Sequence, residues 1–252
     1  MELNFHIFRH GESPYLQRNN DVELYEANDL TPKGIEQIKK SIDSIYFPSH
    51  KIIEIRSSPT GRGLHSSKII IENLEKRLIK HSEIKKEQNL GEVNNFSWDL
   101  FCPLVYGGEV VFEGQRIFID VNKTNPSKTQ YQEFFAKGEA QRVVDLIDLP
   151  NSYKKEVKSF EKFEDVTRRL LNTILKAKAT SDKTENIFVT HDGLTGFLIN
   201  LDSEGKLFGS NTGSYISVKM TDSNAYIYTV NGILSEKRKD IFEEFERRYG
   251  KL

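Results

Sequence analysis

The sequence predicts an α/β fold: a mostly parallel central sheet with helices on both faces and one inserted segment. Three observations carry this expectation. Apolar runs of strand character alternate with amphipathic helical stretches along most of the chain, the pattern of strands joined by crossover helices. Three of those runs, at residues 3–8, 52–55 and 187–189, each give way to Arg or His close to Gly. The length, 252 residues, exceeds the common domain size but remains within the range of single α/β domains.

Leu3, Phe5, Ile7 and Phe8 form the first strand, and Gly11 lets the chain turn sharply, which leaves Arg9 and His10 at the strand's carboxyl end. A polar loop rich in Asn, Asp and Glu runs to Asp29. Thr31-Pro32 starts a helix, with Thr as cap and Pro at the first helical position. Ile35, Ile38, Ile42 and Ile45 recur along one face until Pro48 ends it. Residues 51–56 are the second strand. Residues 60–78 read as a helix, with Leu64, Ile69, Ile70, Leu74 and Leu78 as packing positions. A start at Thr60 puts Arg62 in the first turn, where free N–H groups and the positive end of the helix dipole favour an anion.

A weak third strand at 82–87 leads to Leu90-Gly91-Glu92. A strand or hairpin at 110–120, a loop at 122–128 and a helix at 131–149 follow the aromatic, glycine-rich residues 98–108. Residues of about 98–158 read together as an insertion that caps the active site within a single domain, 1–252. Its Arg116, Lys123, Lys128, Tyr131 and Arg142 are candidates for substrate contact or for ordinary solvated surface. Residues 159–179 form an amphipathic helix with Phe160, Phe163, Val166, Leu170, Leu171 and Ile174 on its apolar side. A strand at 186–190, a short helix at 193–201, β-rich segments at 214–220 and 225–230 and a charged helix at 234–249 complete the chain.

Composition narrows the function. Lys plus Arg (36) nearly balance Asp plus Glu (37), so no global field points to nucleic acid or to a membrane surface. Any anion site is therefore local. The single cysteine, Cys102, allows no intramolecular disulfide and supports no cysteine-rich zinc site. No basic segment precedes an apolar leader, and no run of about 18 apolar residues occurs, so a cytoplasmic protein is expected.

In open α/β sheets, ligands bind in the crevice at the carboxyl ends of the strands. Three strand ends would deliver Arg9, His10, Arg62 and His191 to that edge. Together with their surroundings, these residues resemble the histidine phosphatase superfamily, the phosphoglycerate mutase-like family. The matching segments, in order, are Arg9-His10-Gly11-Glu12, Ser57-Ser58 with Arg62, Leu90-Gly91-Glu92 and the strand ending in His191, with Trp98 where many members carry a tryptophan. Residues 100–160 match nothing in the pattern.

The resemblance implies the family's fold and a metal-independent, cofactor-free phosphatase. In it His10 attacks phosphorus and carries a phosphohistidine, Arg9, Arg62 and His191 bind the phosphate, and Glu92 is the acid and then the base. Arginine suits phosphate because its planar fork makes two hydrogen bonds at once. Asp192 is the rival acid, as in the more distant acid phosphatase and phytase branch; capping of the next helix is its other role. Two departures from the mutase branch stand out: Leu16, with Gln17 and Asn19 close by, occupies a place often held by Asn, and Leu90-Gly91-Glu92-Val93-Asn94-Asn95 lacks basic residues. The expected partner is a small phosphomonoester, with no nucleic acid or membrane, and a homodimer is left open. A mutase, a metal-dependent hydrolase using His191-Asp192 and a non-catalytic phosphate-binding module are the other readings at this point.

Overall fold

The computed structural model describes residues 2–13, 29–91, 108–112, 115–119, 163–178, 184–203, 210–221, 224–234 and 239–252. The chain divides into two compact units, Met1–Glu92 with Thr167–Leu252, and Val93–Val166. The second contains an antiparallel hairpin of β4 (Gly108–Phe112) and β5 (Gln115–Ile119), the form expected for 110–120. Trp98, Lys123, Lys128, Tyr131, Arg142 and Phe160, with the helix expected at 131–149, lie outside the described residues, as do Leu16, Gln17 and Asn19.

β1 (Leu3–Arg9) is the centre of the first unit. It pairs in parallel with β6 (Thr184–Thr190) and antiparallel with β7 (Tyr215–Met220). Parallel pairing continues from β6 to β2 (Ile52–Ser57) and from β2 to β3 (His81–Lys86). On the other side, β8 (Ala225–Val230) and β9 (Ile233–Leu234) add antiparallel strands, giving the order β3-β2-β6-β1-β7-β8-β9. The expected mostly parallel sheet is therefore four contiguous parallel strands with an antiparallel meander along one edge.

Strand alternation supplies two apolar faces. Phe8, Ile53, Ile55, Ile187 and Val189 bury against Ile38 and Ile42 of α1 (Pro32–Asp43) and Ile69, Ile70 and Leu74 of α2 (Gly61–Lys76). Phe5, Ile7, Phe188, Ile216, Val218 and Ile227 face the other way and are also buried, with Phe5 edge-on to Phe188 at 5.6 Å. There α4 (Asp192–Asp202) lies against β1 and α5 (Ile241–Tyr249) against β8. Each such Ile or Phe contributes about 1.5–3 kcal/mol by leaving water. Helices on both faces follow from that double burial. No helix among the described residues is long and apolar enough to cross a membrane.

Three helix boundaries differ from the sequence reading for identifiable reasons. α1 stops at Asp43, short of Pro48, because Arg77 captures the carbonyls of Ile42 (3.1 Å) and Ile45 (2.8 Å); Ile45 is buried beyond the helix end. α2 ends before Leu78, which turns left-handed at φ 56° and stands 93% exposed instead of packing. The last helix begins at Ile241, capped by Asp240, whose carboxylate accepts from the Phe242 N–H at 3.0 Å. Leu234, expected as the start of that helix, instead belongs to β9, reached through Asn231-Gly232 at φ 52° and 78°, the two-residue turn that closes a tight hairpin. The amphipathic segment expected at 159–179 is α3 (Phe163–Lys178).

Candidate active site

β1, β6 and β2 are neighbours, so their carboxyl ends lie side by side. Arg9 pairs with Thr190 and Ser57 with Val189 as the ladders close. Just beyond, the His10 N–H donates to the Thr190 carbonyl (2.9 Å), and the Ser58 N–H donates to the Val189 carbonyl (2.8 Å). The Gly213 N–H donates to the His10 carbonyl at 2.9 Å, so the backbone of His10 is held at both polar groups.

Thr60 caps α2 by accepting from the Gly63 N–H (3.2 Å), which places Arg62 in the helix's first turn as the sequence indicates. The loop after β1 is pressed onto α1. A Cβ at Gly34 would fall 2.1 Å from the Glu12 carbonyl oxygen, and one at Gly11 would fall 2.3 Å from the Gly34 carbonyl oxygen, so only glycine allows this approach. Glu12 ties the loop down through Lys33 (2.7 Å) and by accepting from the Thr31 hydroxyl (3.2 Å).

His10, Arg62 and His191 are 1%, 3% and 0% exposed, so their polar groups meet each other rather than water. His10 Nδ1 lies 2.7 Å from the Gly11 carbonyl oxygen, which only accepts; Nδ1 therefore carries the proton. Arg62 Nε, which only donates, lies 3.1 Å from His10 Nε2, so that nitrogen holds the lone pair. The ring is neutral and its tautomer is set from both sides. Arg62 Nη2 likewise approaches His191 Nδ1 at 3.4 Å, and His191 Nε2 then donates to the Ser58 hydroxyl at 2.8 Å. The two imidazoles stand edge to face with centroids 5.0 Å apart.

Arg9 reaches Asp192 at 3.2 Å and donates to the Ser210 carbonyl. Asp192 Oδ1 also accepts from the Ser210 N–H (2.7 Å) and hydroxyl (3.2 Å). The expected helix-capping role of Asp192 is not observed: His191 occupies the cap position of α4 without a side-chain bond, and Asp192 is already helical. Among the described residues no group of three or more His, Cys, Asp and Glu comes together to hold a metal ion.

Glu92 lies outside the described residues. The chain leading to it is described: a short 3₁₀ turn, Gln88–Leu90, whose Leu90 carbonyl accepts from the Thr190 hydroxyl at 2.8 Å. Thr190 precedes His191, so the turn is joined to the same strand end. Ser58, Thr190 and Ser210 were not singled out as site residues from the sequence. Ser58 could have been, since it sits inside the Ser57-Ser58 motif; Ser210 carries no local signal.

No family model matches the chain, and no curated protein matches it in sequence. Solved structures match it in fold. Bacillus stearothermophilus YhfR is 17% identical and covers 92% of this chain and 98% of its own, with a TM-score of 0.56. Phosphoglycerate mutase from Bacillus anthracis str. Sterne is 20% identical over 98% and 96%, with a TM-score of 0.56. A putative alpha-ribazole-5'-P phosphatase from Escherichia coli str. K-12 substr. MG1655 is 15% identical over 92% and 99%, with a TM-score of 0.53. The chain shares the α/β fold of these structures.

Proposed function

We propose that this protein is a phosphatase that hydrolyses a small phosphomonoester through a phosphohistidine on His10. The observation that carries the reading is the tautomer of His10: Nδ1–H on the Gly11 carbonyl and the Nε2 lone pair facing Arg62. A neutral imidazole with a buried lone pair beside a guanidinium is what nucleophilic attack on a dianionic phosphate requires.

On binding, the donors of Arg62 turn from ring nitrogen to phosphoryl oxygens, with Arg9 and His191 completing the grip. The Nε2 pair forms the N–P bond while the ester P–O bond breaks, and the departing oxygen takes a proton from Glu92. Water then attacks phosphorus and gives its proton to the Glu92 carboxylate. The N–P bond breaks, its electron pair returns to Nε2, and inorganic phosphate leaves. Water is the only co-reactant, so neither metal nor organic cofactor enters.

The fold hosts both mutases and phosphatases among the matched structures. Hydrolysis is favoured because residues 90–95 offer no basic side chain for a second phosphate, which a mutase handling a bisphosphate needs.

The test is phosphate release from 4-nitrophenyl phosphate with EDTA present, by the wild type, His10→Ala and Glu92→Ala, together with acid-quench trapping of labelled enzyme. Turnover that vanishes in His10→Ala, with an acid-labile phosphoenzyme in the wild type, is the expected result. An inactive wild type with no trapped phosphoenzyme overturns the reading in favour of a binding module.

A further inference from the structure

Arg169 lies on α3, far from the strand ends in sequence, and belongs to no motif. Its guanidinium nevertheless reaches the turn that leads to Glu92. Nη1 and Nη2 each donate to the Gly91 carbonyl at 3.1 Å, and Nη1 also donates to the Asn89 carbonyl. On the intervening residue the Thr190 hydroxyl holds the Leu90 carbonyl at 2.8 Å. Three successive carbonyls thus accept from side chains of two other elements.

The start of the turn is fixed as well. The Glu87 N–H donates to the Ser57 carbonyl (2.8 Å), the Glu87 carboxylate accepts from the Asn89 N–H (3.2 Å), and the Leu90 side chain is fully buried. So short a helical turn leaves its last carbonyls unpaired by its own backbone. Most turns leave them to water. Here a buried hydroxyl and a full positive charge take them, and charge-assisted bonds of this kind are about twice as strong as neutral ones. Thr190 also holds the backbone N–H of His10, so the turn and the nucleophile share one support.

We propose that Arg169 is a positioning residue for the general acid: by fixing the Asn89 and Gly91 carbonyls, it sets where the chain stands at Gly91, the residue before Glu92. This inference rests on the assignment of Glu92 as proton donor made above. A merely structural clamp would lower stability and all activities together. A positioning role falls on the step that needs the proton, and hence on poor leaving groups.

The experiment measures the rate of phosphoenzyme formation with 2,4-dinitrophenyl phosphate, whose leaving group needs no proton, and with phenyl phosphate, whose leaving group does. For Arg169→Ala the expected loss is about tenfold or more on phenyl phosphate and under about threefold on the dinitrophenyl ester, since acid catalysis is worth about 10²–10⁴ in all. Arg169→Lys, which keeps the charge without the fork, falls between, and Arg169→Ala adds no further loss in a Glu92→Gln background. Equal losses on both esters, or additive losses with Glu92→Gln, overturn the inference while the phosphohistidine reading stands. Where Arg169→Ala does not fold, Arg169→Lys decides by the same leaving-group comparison. A wild type that forms no phosphoenzyme overturns both.

Discussion

Arg62 Nε and His10 Nε2, 52 residues apart in the chain, meet at 3.1 Å in a buried hydrogen bond. The guanidinium cannot accept and the Gly11 carbonyl cannot donate, so both contacts match the Nδ1–H tautomer of neutral His10. The same guanidinium reaches His191, which makes Arg62 the hub of the three buried side chains.

Replacement of Arg62 by Lys therefore removes geometry while keeping charge. An ammonium group is a point donor and cannot serve both imidazoles and then offer a planar fork to phosphate. The expected loss in kcat/KM on 4-nitrophenyl phosphate is about 10²–10³, comparable to the removal of one preorganised donor from a reacting oxyanion. Steady-state kinetics measure it; a loss under about threefold would remove Arg62 from the reaction.

Asp192 pairs with Arg9, and one substitution distinguishes holding that arginine from donating a proton. Asp192→Asn retains an oxygen for the Ser210 N–H but gives up the ion pair at 3.2 Å. KM on an aryl phosphate should rise by up to about tenfold, a change of about 1.4 kcal/mol, while kcat moves less than about twofold. A kcat that drops by about 10² or more would instead return Asp192 to the general-acid role.

The legible part of this molecule was the part in which local signals act alone. Apolar runs placed β1, β2 and β6, and basic side chains close to glycine just beyond two of them pointed to Arg9, His10 and His191. Thr31-Pro32 and Thr60 marked helix starts that are capped as expected. Helix ends were less legible because distant groups decide them: Arg77 stops α1, and no pattern within residues 32–48 reports that. The Asn231-Gly232 turn did carry a sequence signal, the strongest short hairpin signature, but the charged residues after it suggested a helix already begun. Arg169 and Ser210 are legible only once the chain is folded: Arg169 donates to the carbonyls of a turn about 80 residues away, and Ser210 meets Arg9 and the Asp192 carboxylate across the fold.

Leu78 offers a stability test free of the active site. The Ile79 N–H donates to the Leu74 carbonyl and the Leu78 N–H to the Glu75 carbonyl, both at 2.9 Å, the bond pattern that closes a helix through one left-handed residue. Glycine is usual there, but this chain has a leucine at φ 56°, almost fully exposed. Leu78→Gly should stabilise the protein by about 1 kcal/mol, because the strain of a left-handed L-residue is relieved and little burial is lost. Urea denaturation reads the gain; a destabilised variant would mean that the leucine makes a contact worth more than its strain.

Glu244 sets the acid end of the stability profile. Its carboxylate accepts from Arg247 Nε (2.9 Å) and Nη2 (2.8 Å) and from Arg248 Nε (2.6 Å), while Arg248 Nη1 donates to Asn200 Oδ1 and ties α5 to α4. The Arg247 bonds lower its pKa from 4.5 to about 2 against the opposing effect of burial, and Arg248 adds to them. A lowered folded pKa means that the unfolded chain binds the proton first as pH falls. The contribution is therefore complete well above 4.5 and is lost between about 4.5 and about 2. Because Arg247 is largely exposed and its pairing is screened, about 1–2 kcal/mol is expected at neutral pH. Glu244→Gln should show that deficit in urea denaturation at pH 7 and a smaller one at pH 3.5, as the wild type loses its advantage; a deficit that does not change with pH would assign the effect to packing between α4 and α5 and not to charge.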